Sequence, residues 1–229
     1  MSKGKSPVHD PGGMRVEEYE ILKDLILQGS FKSTLEIGMA NGESTEVICS
    51  VHRQRGEGKH IAIDPFQNLS TDWAGKGVER IRRASLSEYF QLIEKFDYLA
   101  LPELVAGKSQ FDLILIDGWH SFDYTLIDIF YADLLLKPGG VLVIHDTGYP
   151  SVYKACRFLE THKPYVRIGP PLAVSLDWMI KKMIRRLIQI LKGPRAFQEA
   201  KLRRTQWFSL GAYRKRESIQ VADSYFSKF

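Results

Sequence analysis

The stretch TLEIGMANGEST, residues 34–45, constrains this chain more than any other. A short apolar run ends in Glu36-x-Gly38-x-x-x-Gly42, and a helix-compatible sequence starts at once. Glycines at such a turn let the backbone bend sharply and let a ligand come close, because no Cβ stands in the way. The helix that follows aims unpaired N–H groups at whatever sits there. This pattern predicts a nucleotide-type site at the carboxyl end of a first β-strand. Its spacing narrows the nucleotide. The Gly-x-Gly-x-x-Gly order of nicotinamide and flavin sites is missing, since Ala40 stands where the second glycine belongs. No Gly-Lys-Ser/Thr closes the turn, so a P-loop is excluded.

Apolar runs alternate with helical patterns on both sides of this turn. Helices are expected over residues 16–28, 43–53, 72–86, 99–106, 123–136 and 152–162. Strands are expected over 33–37, 60–63, 89–93, 111–116 and 141–144. Segments 165–168 and 172–176 suit a terminal hairpin across Gly169-Pro170-Pro171. The fold class is therefore α/β: a Rossmann-like, doubly wound, seven-stranded sheet, mostly parallel with a C-terminal antiparallel hairpin. Residues 1–15 read as a flexible leader, 16–177 as the catalytic domain and 178–229 as a basic extension.

In such sheets ligands bind beyond the carboxyl ends of the strands. The second strand ends in Asp64, whose carboxylate can accept two ribose hydroxyls, and Pro65, Phe66, Gln67 and Trp73 follow it. Two further carboxylates, Asp117 and Asp146, close the strands FDLILI and VLVI. Adjacent strands lie about 4.8 Å apart, so these side chains can converge on one cation. His145, beside Asp146, lowers the ligand charge and suits a transition metal better than Mg²⁺. His120 stands three residues after Asp117, and an imidazole is suited to general-base work at neutral pH.

Four blocks, TLEIGMANG, IAIDPF, LILIDGWH and LLKPGGVLVIHD, in this order resemble the class I S-adenosylmethionine-dependent methyltransferases. DPFQ, IDGWHSFD and KPGGVLVIHD look most like a bacterial small-molecule O-methyltransferase subgroup that includes sugar- and antibiotic-tailoring and cephalosporin-hydroxylase-like proteins. The resemblance spans about residues 30–176 and implies methyl transfer to a hydroxyl of a small molecule, a sugar or glycosylated metabolite. It implies that Glu36 and Gly38 line the methionine end of the cofactor, with Gly42 beneath it and Met39, Ala40 and Ser44 in the same turn. Asp64, with Pro65 and Phe66, would hold the ribose, Asp97 would stand near the adenine, and Asp117 would close the cofactor site. A plain helix N-cap is the competing role for Asp97. Related enzymes place a histidine at the offset of His120 and use Mg²⁺, held at the positions of Asp117 and Asp146, to grip a substrate diol. Here Asp117, His145 and Asp146 are the expected ligands of Mg²⁺ or another divalent cation.

Charge divides the chain. Residues 1–177 sum to −5 and residues 178–229 to +10. Within the basic part, residues 178–192, WMIKKMIRRLIQILK, have helical amphipathic spacing. Three roles compete for it: packing on the core or on a second copy in a homo-oligomer, lying on an anionic membrane surface, or binding nucleic acid or an acidic substrate, the least favoured because no stacking aromatics punctuate the helix after Trp178 and a basic tail is generic. Cys49 and Cys156 are isolated, which excludes a zinc knuckle and fits buried thiols in a cytoplasmic protein, peripheral to the membrane if the basic helix docks there. Rival functions are a nicotinamide-dependent oxidoreductase, disfavoured by the glycine pattern, and a non-catalytic nucleoside-binding or membrane-associated protein of the same fold.

Overall fold

In a computed structural model of the protein, the alternating runs become α1 (Val16–Gly29), β1 (Ser33–Ile37), α2 (Glu43–Arg55), β2 (Lys59–Ile63), α3 (Lys76–Arg83), β3 (Phe90–Ile93) and α4 (Asp97–Ala106). Then come β4 (Phe111–Ile116), α5 (Phe122–Leu135), β5 (Leu136–Ile144), α6 (Pro150–His162), β6 (Tyr165–Arg167) and β7 (Gly211–Lys215). The structure describes residues 13–68, 73–169 and 210–216, together with Met183, Ile184, Leu187, Ile188, Leu191 and Gly193.

One sheet runs β3-β2-β1-β4-β5-β7-β6. The first five strands are parallel, and β7 pairs antiparallel with both β5 and β6. The expected seven-stranded architecture is present, including the antiparallel end. The partner of β6 is not local, however. The hairpin segment expected at 172–176 lies outside the described residues, and Gly211–Lys215 fills the place between β5 and β6. The sheet therefore extends beyond residue 177.

Alternation along the central strands splits the core. Ile114, Ile116, Leu142 and Ile144 face α4, α5 and α6 through Leu101, Ile129, Ala132, Ala155 and Leu159. Leu113, Leu115, Val141 and Val143 face α1 and α2 through Leu22, Ile26, Ile48 and Val51. Met14 is 1% exposed and belongs to this second layer, so the ordered body begins before residue 16. The Lys137-Pro138-Gly139-Gly140 segment is a bulge within β5. Leu136 pairs with Phe111 and Val141 with Leu113, leaving four residues opposite Asp112 alone. The sheet order reverses at β1 and β4, and this topological switch point positions the site.

Candidate active site

The glycine turn is built by contact between strand ends. Gly38 has φ +88°, and a Cβ there would lie 2.2 Å from the carbonyl oxygen of Asp117. Gly42 takes φ +76° as the N-cap of α2, beneath the turn rather than along the cavity. Asp64 braces the turn from the next strand. Its Oδ2 accepts N–H bonds from Met39 at 3.0 Å and Ala40 at 2.8 Å, and its Oδ1 accepts one from Phe66 at 2.8 Å. A carboxylate has about four lone-pair sites, so Asp64 retains capacity for a hydroxyl donor.

Glu36, expected along the methionine end of the cofactor, has other partners in the structure. It is fully buried and does not line the cavity. Ser44 donates to one of its oxygens, and Thr45 donates to the other at 2.5 Å. His60 Nε2 lies 3.1 Å from that second oxygen, and Thr34 joins His60 Nδ1 at 2.9 Å to His52 Nε2 at 3.0 Å. Burial, then His60 and Arg55, lower the His52 pKa to about 4, so this ring is neutral. Glu36 thus clamps the start of α2 to β1 and β2 from inside.

A cavity of about 910 Å³ opens over the carboxyl ends of the strands. It is lined by Gly38, Ala40 and Ser44 of the glycine turn, by Asp64, Phe66 and Asp97, and by Asp117, Trp119 and His120. Met14 and Tyr19 also line it. These two were not recognised in the sequence, where α1 reads only as an amphipathic core helix.

Beside the cavity lies a cluster of alternating charge. His145, 4% exposed, places Nδ1 2.8 Å from Asp117 Oδ1 and Nε2 3.4 Å from Glu18 Oε2. Burial opposes charge on this ring, but the charge and hydrogen bond of Asp117, then Glu18 and Asp146, outweigh it and raise its pKa to about 10. His145 is a buried imidazolium with both nitrogens facing carboxylates. Expected as a metal ligand, it stands in one cluster with Asp117 and Asp146, the two other expected ligands. Burial also opposes ionisation of Asp117, and the His145 charge and the His120 hydrogen bond overcome this and hold its pKa below the usual value. Glu18 reaches the cluster while its Oε2 also caps α1 by accepting the Arg15 N–H at 2.9 Å.

His120 completes the group. Its Nε2 lies 3.1 Å from Asp146 Oδ2 and 3.5 Å from Asp117 Oδ1. Asp146 takes φ +51° just after β5, a conformation aspartate tolerates better than most residues. The ligating atoms of Asp117, His120, His145 and Asp146 all lie within 4.8 Å of one another.

Residues 35–147 match the model of a methyltransferase-domain family. No curated protein matches the sequence. Among solved structures, the O-methyltransferase from Bacillus cereus in complex with SAH is 16% identical with a TM-score of 0.59, over 69% of this chain and 76% of that one. The O-methyltransferase TomG from Streptomyces achromogenes, involved in tomaymycin synthesis and bound to SAM, is 17% identical with a TM-score of 0.58, over 69% and 74%. The SAH-bound methyltransferase PaMTH1 from Podospora anserina is 15% identical with a TM-score of 0.57, over 70% and 76%. At these identities the likeness is one of fold. Residues 35–147 thus match a methyltransferase domain, and the seven-stranded sheet has the class I methyltransferase fold.

Proposed function

We propose that this protein moves the methyl group of S-adenosylmethionine to a hydroxyl of a small molecule, a sugar or glycosylated metabolite, with His120 as the general base. The observation that carries this reading is the contact of His120 Nε2 with Asp146 at 3.1 Å, where His120 lines the same cavity as the glycine turn. When Nε2–H donates to Asp146, the lone pair of Nδ1 is left to take the acceptor's proton. Methyl transfer from a sulfonium asks little else of a protein than alignment and a deprotonated oxygen. Gly38, Ala40, Ser44 and Asp64 would hold the cofactor, which would supply the methyl group, and His120 lines the same cavity to take the acceptor's proton. Glu36 serves it indirectly, by fixing Ser44 and the turn.

The same cluster fits a divalent cation. Two carboxylates and two imidazoles within 4.8 Å form a mixed oxygen and nitrogen donor set. Asp117 and Asp146 would hold the ion, while His145 orients Asp117 from behind. A bound cation would polarise the acceptor hydroxyl.

Calorimetry with S-adenosylhomocysteine, and methyl transfer to a panel of hydroxylated acceptors, test this reading. His120→Ala should lower kcat by about 10²–10⁴-fold and leave cofactor affinity nearly intact. Loss of cofactor binding in that variant refutes the base. Full activity in EDTA removes the cation from the mechanism.

The exposed residues Met183, Ile184, Leu187, Ile188 and Leu191 support a second role, docking on an anionic membrane surface. They are helical, share one apolar stripe and are interleaved in sequence with Lys181, Lys182, Arg185, Arg186 and Lys192. No helix among the described residues is long and apolar enough to cross a membrane.

A further inference from the structure

One carboxylate near the cavity is buried more deeply than its local role requires. Glu18 is the third residue of α1, and its Oε2 caps the helix by accepting the Arg15 N–H at 2.9 Å. Such a cap works as well at the surface. Glu18 is nonetheless 1% exposed, and its Oε1 meets no donor among the described residues. Leaving a buried acceptor unpaired costs more than a cap returns. A second use of this side chain accounts for its depth.

That use is visible in its other contact. Glu18 Oε2 lies 3.4 Å from His145 Nε2, on a ring that is 4% exposed. The opposite nitrogen, Nδ1, lies 2.8 Å from Asp117 Oδ1. Glu18, His145 and Asp117 thus form a buried chain from the first turn of α1 to the ends of β5 and β4.

The strand ends alone do not set this chain. Ile116 pairs with Ile144, so Asp117 and His145 leave neighbouring strands side by side. The His145 N–H donates to the Ile116 carbonyl at 2.9 Å and the Asp117 N–H to the Ile37 carbonyl at 2.8 Å. These bonds fix both backbones but not the imidazole, whose χ2 wells are broad and roughly two-fold. A half turn of the ring would bring Cδ2 to Asp117 in place of Nδ1. A carboxylate at Nε2 removes that freedom, because one setting of the ring serves Glu18 and Asp117 together. The ring in turn sets the rotation of the Asp117 carboxylate, which lines the cavity and clusters with His120 and Asp146.

We propose that Glu18 is a positioning residue for the cation site: it locks the His145 ring and through it orients the Asp117 carboxylate that grips the ion. This rests on the cation reading of the cluster and adds to it a residue of α1, outside the matched residues 35–147. Glu18 acts only through His145.

The test is Mn²⁺ binding to the full-length protein in the presence of S-adenosylhomocysteine, followed by the EPR signal of the free ion. Glu18→Leu should weaken binding by about 10–100-fold, the usual effect of losing a group that orients a ligand. Glu18→Gln, whose amide oxygen can accept from both Arg15 and His145, should stay within a few-fold of the wild type. In a His145→Asn chain, which has no ring to lock, Glu18→Leu should change Mn²⁺ affinity by no more than about 2-fold. A capping role alone would lower thermal stability in both backgrounds and leave the Mn²⁺ affinity of the folded protein untouched. Unchanged affinity in Glu18→Leu therefore overturns the proposal, as does an equal loss with and without His145. A Glu18→Gln variant as impaired as Glu18→Leu overturns it too. Should Glu18→Leu fail to fold, Glu18→Asp replaces it in both backgrounds, since it keeps the charge but draws it back from His145 by one carbon–carbon bond, and the same outcomes decide. A wild type that binds no Mn²⁺ overturns the cation reading as well, whereas equal binding by the wild type and every Glu18 variant overturns the role of Glu18 alone.

Discussion

At Gly38 a side chain would have to occupy space already taken by backbone, because its Cβ would lie 2.2 Å from the Asp117 carbonyl oxygen. Neither atom is the end of a flexible side chain, so relief means moving β1 away from β4. The φ of +88° adds strain for any residue with a Cβ. Gly38→Ala should therefore destabilise the protein by at least about 2 kcal/mol in urea unfolding, and weaken S-adenosylhomocysteine binding. Gly42→Ala makes a useful comparison, since its Cβ would meet Gly77 Cα at 2.9 Å, a softer clash, and its cost should be smaller. Equal effects of the two changes would show that strain, not the β1–β4 contact, dominates. The requirement at Gly38 was legible in the sequence as a turn glycine; its reason was not, because the blocking atom lies 79 positions away. Glu18 was hidden by a double role, as its spacing from Arg15 reads only as a helix cap.

Elements with a strong local period were the legible ones: β1, β4 and the helices after them lie close to the places their apolar spacing predicts. The last strand fails this rule for a physical reason. GAYRK carries a weak alternation, and its pairing is set by distant edges, those of β5 and β6. What holds it there is a buried cation. Lys215 Nζ, on a side chain 9% exposed, donates to the Leu136 carbonyl at 3.0 Å and to the Asp133 carbonyl, and lies 3.3 Å from Asp133 Oδ1. Lys163 at 2.8 Å and Tyr165 at 3.0 Å meet the same carboxylate, so Asp133 of α5 ties β6 and β7 together. Burial opposes the charge on Asp133, but Lys163, Lys215 and Tyr165 outweigh it and lower its pKa. A lowered folded-state pKa contributes stability above the unfolded value of about 3.9, and this is lost as pH falls through the folded value. Lys215→Met should cost about 1–3 kcal/mol at pH 7 and speed hydrogen exchange in β7. The difference from the wild type should shrink as pH falls below about 3.9. A difference independent of pH would mean that Lys215 acts through its carbonyl bonds and not through Asp133.

For the whole molecule, the sheet and the basic extension are not separable units. Residues 178–229 carry the net charge of +10 and also supply β7, which covers the edge of β5. Val141, Leu142, Val143 and Ile144 of that edge strand are all fully buried. A chain cut after residue 177 would expose this edge, and hydrophobic edges associate without specificity. A change in membrane binding on truncation would therefore report sheet damage as readily as loss of a docking helix. Point changes on the exposed stripe avoid this, because Leu187 is 55% and Leu191 86% exposed. Full-length protein should float with vesicles of phosphatidylcholine containing phosphatidylserine, and less with phosphatidylcholine alone. Each basic residue near such a surface contributes about 1 kcal/mol, so raised salt should weaken binding. Leu187→Glu with Leu191→Glu should abolish flotation while thermal unfolding and cofactor affinity stay unchanged, since apolar insertion supplies the remainder of the energy. Flotation that survives both substitutions rules out the stripe as the contact. If the wild type instead elutes as a dimer and the doubly substituted chain as a monomer, with no vesicle binding by either, the stripe meets a second copy of this chain and not a membrane.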